Sequence, residues 1–240
     1  MRNKFVLLSA LVCSLAFVNC NKTTLTVPTS LRVINVYPGS QPQDMYLDDA
    51  LVKPAAIAYG DKNNYYSIEP GTYTFKIAPT GTTHFDINDN IDFSTGKNYL
   101  MYIAKVGDTI QPEAAEVATT YLGYDTSEIR FFDFSPNSPA VDIVFQLQSY
   151  ANPLITYYDT TYTIYTSRYF NDQYTIASYK TFYQLPSGNY NFKIRYADST
   201  LAIDSMNLTL VNGKAYTIYT RGYTDSSSSV PPLIIDTIMH

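Results

Sequence analysis

The side chains able to do chemistry in this sequence are few, and their types narrow what it can be. His84 and His240 are the only histidines, so a zinc site of His and Cys ligands and a Ser-His-Asp or Cys-His nucleophile both lack their parts. The densest oxygen-ligand pattern is Asp86-Ile-Asn-Asp-Asn-Ile-Asp92. Asp86, Asn88, Asn90 and Asp92 alternate, so on a regular strand they share one face, and such oxygens are what Ca²⁺ prefers. An EF-hand-like loop would need glycine where Ile91 stands and an acid where Lys97 stands, whereas Ile87, Ile91 and Phe93 fit an amphipathic strand with its polar side in water. The four are therefore a candidate Ca²⁺ set beside an expectation of no metal and no cofactor. Asp44 and Asp142 each follow a proline-containing turn, where a carboxylate accepts backbone N–H groups and fixes the loop. Paired glycosidase carboxylates lie within about 10 Å of each other, a spacing not expected of residues in separate domains. No Gly-rich phosphate loop is present. The expectation is a protein that is not an enzyme.

Cys20 is the remaining reactive group, and its position is informative. Arg2 and Lys4 make a short basic start, and Phe5 to Val18 is an apolar run of about fourteen residues. That run is too short for a helix to cross a bilayer core of about 30 Å but suits a signal-peptide core. The chain turns polar directly after Cys20, with Asn21, Lys22, Thr23 and Thr24. The pattern resembles a bacterial lipoprotein signal, which implies cleavage after residue 19 and acylation of Cys20 as the membrane anchor. Phe17 and Asn19 stand where such signals usually carry Leu and a small residue; Cys13 as the acylated residue would leave an apolar run of only about eight. Residues 1–19 are thus expected as signal peptide and 20–30 as a lipidated tether.

Composition sets the class. Removing the leader leaves about 220 residues, enough for two small domains or one large β-domain. The chain carries a formal −5, and loses two further positive charges with the leader. With no grouped Lys and Arg, nucleic acid is excluded as a partner. No second cysteine remains for an internal disulfide. The 24 tyrosines and absent tryptophan, with many Thr, Val and Ile, favour pleated structure. Only Pro112 to Ala118 has a helical composition.

One plan occurs twice. Leu31-Arg-Val-Ile-Asn-Val-Tyr-Pro38 matches Ile129-Arg-Phe-Phe-Asp-Phe-Ser-Pro136, followed by Asp44 and Asp142. Gly71-Thr-Tyr-Thr-Phe-Lys-Ile77 matches Gly188-Asn-Tyr-Asn-Phe-Lys-Ile194, and Gly96-Lys-Asn-Tyr99 matches Gly213-Lys-Ala-Tyr216. The prolines end strands, the glycines make turns, and Tyr73, Phe75, Ile77 and Tyr190, Phe192, Ile194 alternate with polar residues. Turns at Gly96 and Gly213 would join Asp86–Phe93 to Asn98–Val106 and Leu201–Val211 to Ala215–Tyr223. The fold class expected is all-β, as two tandem immunoglobulin-like antiparallel β-sandwich domains. Their bounds are 31–106 and 129–223, with a linker at 107–128 and a C-terminal tail or edge strand at 224–240.

The second copy is longer between its proline and its glycine turn, and the added chain is rich in tyrosine. A hairpin of Thr161–Arg168 and Gln173–Gln184 around Asn171-Asp172 accounts for it. Tyr157, Tyr162, Tyr165, Tyr169 and Tyr174 are the candidate ligand-binding residues, because a phenol ring supplies apolar area at low entropy cost and its hydroxyl adds a bond. The same tyrosines could instead line the core.

These landmarks resemble a family of bacterial envelope proteins built from the domain of unknown function 4397. The resemblance rests on Leu31–Val33, Ser135-Pro136, Asp44 and Asp142, Pro70-Gly71-Thr72-Tyr73 and Gly213-Lys214-Ala215-Tyr216-Thr217. It implies a lipoprotein of the Bacteroidetes type and brings no activity with it. The function expected is a non-enzymatic cell-envelope lipoprotein, outer-membrane anchored, that binds a protein partner or acts as a scaffold. The alternative is a glycan-binding lipoprotein of a polysaccharide-uptake system.

Overall fold

The computed structural model describes residues 27–52, 56–106, 109–117, 125–151, 154, 160–225 and 230–240. In the first half, β1 (Thr29–Asn35), β2 (Gln43–Leu47), β3 (Ala50–Leu51), β4 (Tyr66–Ile68), β5 (Gly71–Pro79), β6 (Ile87–Phe93), β7 (Asn98–Val106) and β8 (Thr109–Val117) form two four-stranded sheets, ordered β4-β1-β7-β8 and β3-β2-β5-β6. The second half has β9 (Thr126–Phe134), β10 (Val141–Tyr150), β11 (Thr161–Arg168), β12 (Tyr183–Pro186), β13 (Gly188–Tyr196), β14 (Ala202–Leu210), β15 (Ala215–Arg221) and β16 (Ile234–Met239). Its sheets run β12-β9-β15-β16 and β11-β10-β13-β14, the same order strand for strand. The chain is all-β in two sandwich units. Pairing is antiparallel except where the first strand of each unit meets the seventh: β1 runs parallel to β7, and β9 to β15.

Register repeats as well as order. Leu31 faces Tyr99 and Ile129 faces Tyr216; Met45 faces Ile77 and Ile143 faces Ile194. Alternation then sends Leu31, Val33, Met45, Phe75, Ile77, Met101 and Ile103 into one core, and Ile129, Phe131, Ile143, Phe145, Phe192, Ile194 and Ile218 into the other. The opposite faces of the inner strands are also apolar, and this is what joins the units. Ile34, Val36, Leu100, Tyr102, Ala104, Ala115 and Val117 pack on Phe132, Phe134, Tyr219 and Ile238. Tyr102 of the first unit meets Phe132, Phe134 and Tyr219 of the second at ring-centroid separations of 5.7, 4.6 and 5.2 Å. The molecule is four sheets deep, its middle layers buried on both faces.

Polar contacts rim this interface. Asp236 is shared by Lys62 and Arg221, each at 2.7 Å, and the Arg221 guanidinium lies 4.7 Å from the Tyr59 ring centroid. The buried Arg130 donates from Nη1 to the Glu116 carbonyl at 2.8 Å. His240 sits between Tyr65 Oη (3.2 Å) and Thr217 Oγ1 (2.9 Å). Burial, with Arg130 and Arg32 nearby, holds its imidazole down at about 3.

Three expectations are corrected. Of Pro112–Ala118, Pro112–Val117 is not helical but lies in β8, where pairing with β7 supplies the backbone bonds and outweighs local propensity; Ala118 lies outside the described residues. Pro112 is tolerated because β8 is an edge strand. The interval 107–128 is consequently not a plain linker, since it holds β8 and the start of β9. The expected hairpin of Thr161–Arg168 with Gln173–Gln184 does not form either. β11 adds to β10, but the chain then makes two 3-10 turns, Asp172–Tyr174 and Ala177–Lys180, and crosses to the other sheet as β12, beside β9. The C-terminal stretch supplies β16, an edge strand antiparallel to β15.

Candidate binding surface

The segment between β11 and β12, which carries the two 3-10 turns, has a base built from polar side chains. Ser167 takes a left-handed φ of 51°, and its N–H donates to Asp142 Oδ1 at 3.0 Å. The first unit does the same with Asp44 Oδ1 and the N–H of Ala56, at 2.9 Å and a φ of 67°. Left-handed backbone costs a non-glycine residue about 1 kcal/mol, and a buried carboxylate on the amide offsets it. Both carboxylates thus hold turns, Asp44 also accepting the Thr80 hydroxyl at 3.0 Å.

Arg168, at 0 % exposure, is the centre of the base. Its Nε and Nη2 donate to Asp172 Oδ2 and Oδ1 at 2.8 and 2.6 Å, a two-pronged charge-assisted pair. The guanidinium lies 4.0 Å from the Tyr179 ring centroid, 5.3 Å from Tyr165 and 5.5 Å from Phe131, so aromatic faces replace its water. Asp172 Oδ2 also accepts the Tyr169 N–H at 2.9 Å. Asn171, left-handed at φ 51°, donates its N–H to the Asp133 carbonyl at 2.7 Å. The buried Gln173 donates from Nε2 to Asn171 Oδ1 at 2.6 Å. On this frame Tyr169, Tyr174 and Ile176 stand 56, 50 and 41 % exposed.

The five tyrosines singled out in the sequence divide accordingly. Tyr169 and Tyr174 are exposed on one short segment. Tyr162 and Tyr165 are half-buried against the second core, which corrects their reading as surface residues. Tyr162 packs on Tyr190, with centroids 6.4 Å apart; the Tyr165 hydroxyl donates to the Ile129 carbonyl at 3.3 Å, and burial pushes its phenol up to about 12. Two residues three apart both turn inward because the β10–β11 register slips between Ile143 and Val144, a bulge that breaks simple alternation. Tyr157 and Cys20 lie outside the described residues.

Asn88, Asn90 and Asp92 lie exposed along β6, with Asp86 half-buried just before it. Alternate residues on a strand are about 6.6 Å apart, so the set is strung out rather than gathered about one point. Thr72 donates to Asp92 and Thr74 to Asn90, the latter at 3.2 Å. Among the described residues no group of three or more His, Cys, Asp or Glu side chains is placed to hold a metal ion. The feature that sequence reasoning passed over is the Arg168–Asp172 pair; its signal was an opposite-charge pair four residues apart at the end of a strand.

Residues 29–144 match the model of a domain of unknown function, DUF4397; the match covers the first unit, β9 and the start of β10. No curated protein matches the chain. Two solved structures are similar. The Bacillus anthracis TIE protein is 12 % identical over 81 % of this chain with a TM-score of 0.25, and this chain spans only 34 % of its length. A proposed cell adhesion protein from Bacteroides uniformis is 6 % identical over 91 % of this chain and 98 % of its own, with a TM-score of 0.27. Likenesses of this size carry no function across.

Proposed function

We propose that this protein is a non-enzymatic binding module of the cell envelope, built from two copies of the DUF4397 domain and held at the outer membrane through acylated Cys20. The observation that carries this reading is the rigid display of Tyr169, Tyr174 and Ile176 over the buried Arg168–Asp172 pair. Exposed apolar side chains on a preorganised base lose little entropy when a partner covers them. Two exposed phenols and an isoleucine on one short segment suit the apolar centre of a protein contact with a polar rim.

A photo-crosslinking residue at Tyr174 tests it in intact envelopes. A discrete protein adduct is expected there and not at the exposed Asp198, and the purified partner should bind the Tyr169→Ala/Tyr174→Ala chain about tenfold more weakly. The same adducts at both positions, or unchanged binding, would count against it. The anchor is tested separately by metabolic labelling with an alkyne fatty acid, expected to label the wild-type chain and not Cys20→Ser.

A further inference from the structure

The first unit has an open cleft of about 480 Å³ at the end of β1, between the Tyr37–Gln43 turn, the Pro79–Asp86 turn and the last residues of β7. Small-molecule sites fall within about 300–1,000 Å³. Its walls are aromatic and held in place. Tyr37 has Lys105 Nζ 5.3 Å from its ring centroid, and Phe85 meets Tyr46 edge to face at 5.5 Å. The turn carrying Tyr37 is pinned by Asn35, whose Oδ1 accepts the Tyr37 N–H at 3.1 Å while its Nδ2 donates to Ser40 Oγ at 2.8 Å. Gln43, 2 % exposed, lines the cleft. Its Nε2 donates to the Gln41 carbonyl at 2.9 Å, but its side-chain carbonyl receives no donor from the protein, and a buried unpaired acceptor costs about 1–3 kcal/mol.

Nothing in the fold requires this cleft. By register the second unit has Ser135, Val141, Ala202, Ile203 and Gly222 where the first has Tyr37, Gln43, Phe85, Asp86 and Lys105. These five are exchanged, although order and pairing are kept. The cleft is therefore a property of the first unit's residues. Its charged groups are of both signs, the Lys105 ammonium and the Asp86 carboxylate with the His84 imidazole 4.0 Å from it, beside the neutral Ser40, Gln41 and Gln43, so it favours neither an anion nor a cation. Aromatic faces with donors and acceptors around them match a ring that has apolar C–H faces and hydroxyls at its edge.

We infer that this cleft binds a neutral saccharide, with the sugar face on Tyr37 and its hydroxyls toward Gln43, Asp86 and Lys105. The site is separate from the Tyr169–Ile176 segment and does not depend on the protein-partner reading. Titrating the mature chain with methyl glucoside, methyl galactoside, methyl mannoside and N-acetylglucosamine, followed by amide NMR, tests it, with glucuronate and inorganic phosphate as charged arms. At least one neutral sugar is expected to give saturable shifts confined to 37–43, 79–86 and 105. Tyr37→Ala and Gln43→Val, the latter installing the second unit's residue, are each expected to weaken it about tenfold, and Tyr169→Ala to leave it unchanged. If either of these fails to fold, Lys105→Gly serves in its place. Saturation by none of the neutral sugars, stronger binding of glucuronate or phosphate at the same amides, or binding that survives the cleft substitutions would overturn the assignment.

Discussion

Asp133 occupies the place in β9 that Asn35 occupies in β1, and each accepts a backbone N–H two residues on: Ser135 to Asp133 at 2.9 Å, Tyr37 to Asn35 at 3.1 Å. The turn needs an acceptor, and either side chain supplies it. Asp133 adds a buried charge, and burial pushes its carboxyl up to about 6 despite bonds from the Thr220 hydroxyl and Ser135 N–H. An acid whose pKa is raised on folding destabilises the fold as it ionises. The penalty is absent below about pH 4 and complete above about pH 6, where it reaches about 3 kcal/mol. Asp133→Asn is expected to match wild type in urea melts at pH 4 and to exceed its stability by up to about 3 kcal/mol at pH 7. Equal stability at both values would remove the charge from the account. Tyr102 poses the complementary case, because its wholly buried hydroxyl finds no partner and its phenol is raised far above the ordinary range by burial. Tyr102→Phe keeps the ring contacts and removes that group, so it is expected to hold or gain about 1 kcal/mol.

At the scale of elements, the turns and the alternating strands were legible in advance. Thr161–Arg168 and Asn98–Val106 are strands with the expected bounds, and Asp86–Phe93 and Leu201–Val211 shorten by one residue at one end or at both. These strands carry their own signal, a turn glycine or proline followed by a period of two. β3, β4 and β12 have two to four residues each, too few for a period, and exist because a neighbour is there to pair with. β8 reads as helix locally and is strand for the same reason. The expected hairpin of 161–168 with 173–184 did not form, because a buried Arg held by Asp172 and three rings is a tertiary construction. Breaking one partner of such a pair costs about 3–5 kcal/mol. Asp172→Asn is expected to leave the core's melting nearly intact yet open 169–181 to proteolysis in minutes, while Tyr165→Ala, a core residue, should lower stability of the whole chain. Equal protease resistance in wild type and Asp172→Asn would show that the frame is held some other way.

For the whole molecule the decisive fact is a second apolar face. Ile129-Arg-Phe-Phe-Asp-Phe134 and Tyr99-Leu-Met-Tyr-Ile-Ala104 are apolar at both odd and even places, the mark of strands covered on two sides. Reading only one face of each strand yields two sandwiches on a linker. Reading both yields one body of four layers. Its unity has a calorimetric consequence. Wild type is expected to unfold in one transition, whereas Tyr102→Ala, which empties the centre of the interface at a cost of about 3–5 kcal/mol, should split it in two. A single transition in both chains would mean that the units are joined elsewhere.

The parallel pairing of β1 with β7 has a mechanical outcome. The Val27 carbonyl accepts the Gly96 N–H, and β1 then runs away from that bond with six paired positions, Ser30 to Asn35 against Asn98 to Ile103. A pull on the start of β1 against the far end of β7 acts along both strands, so the bridging bonds share the load in shear instead of parting one at a time. Stretching the molecule from residue 27 against Val106, the far end of β7, should therefore demand a markedly higher rupture force than peeling β16 from β15 through the C-terminus.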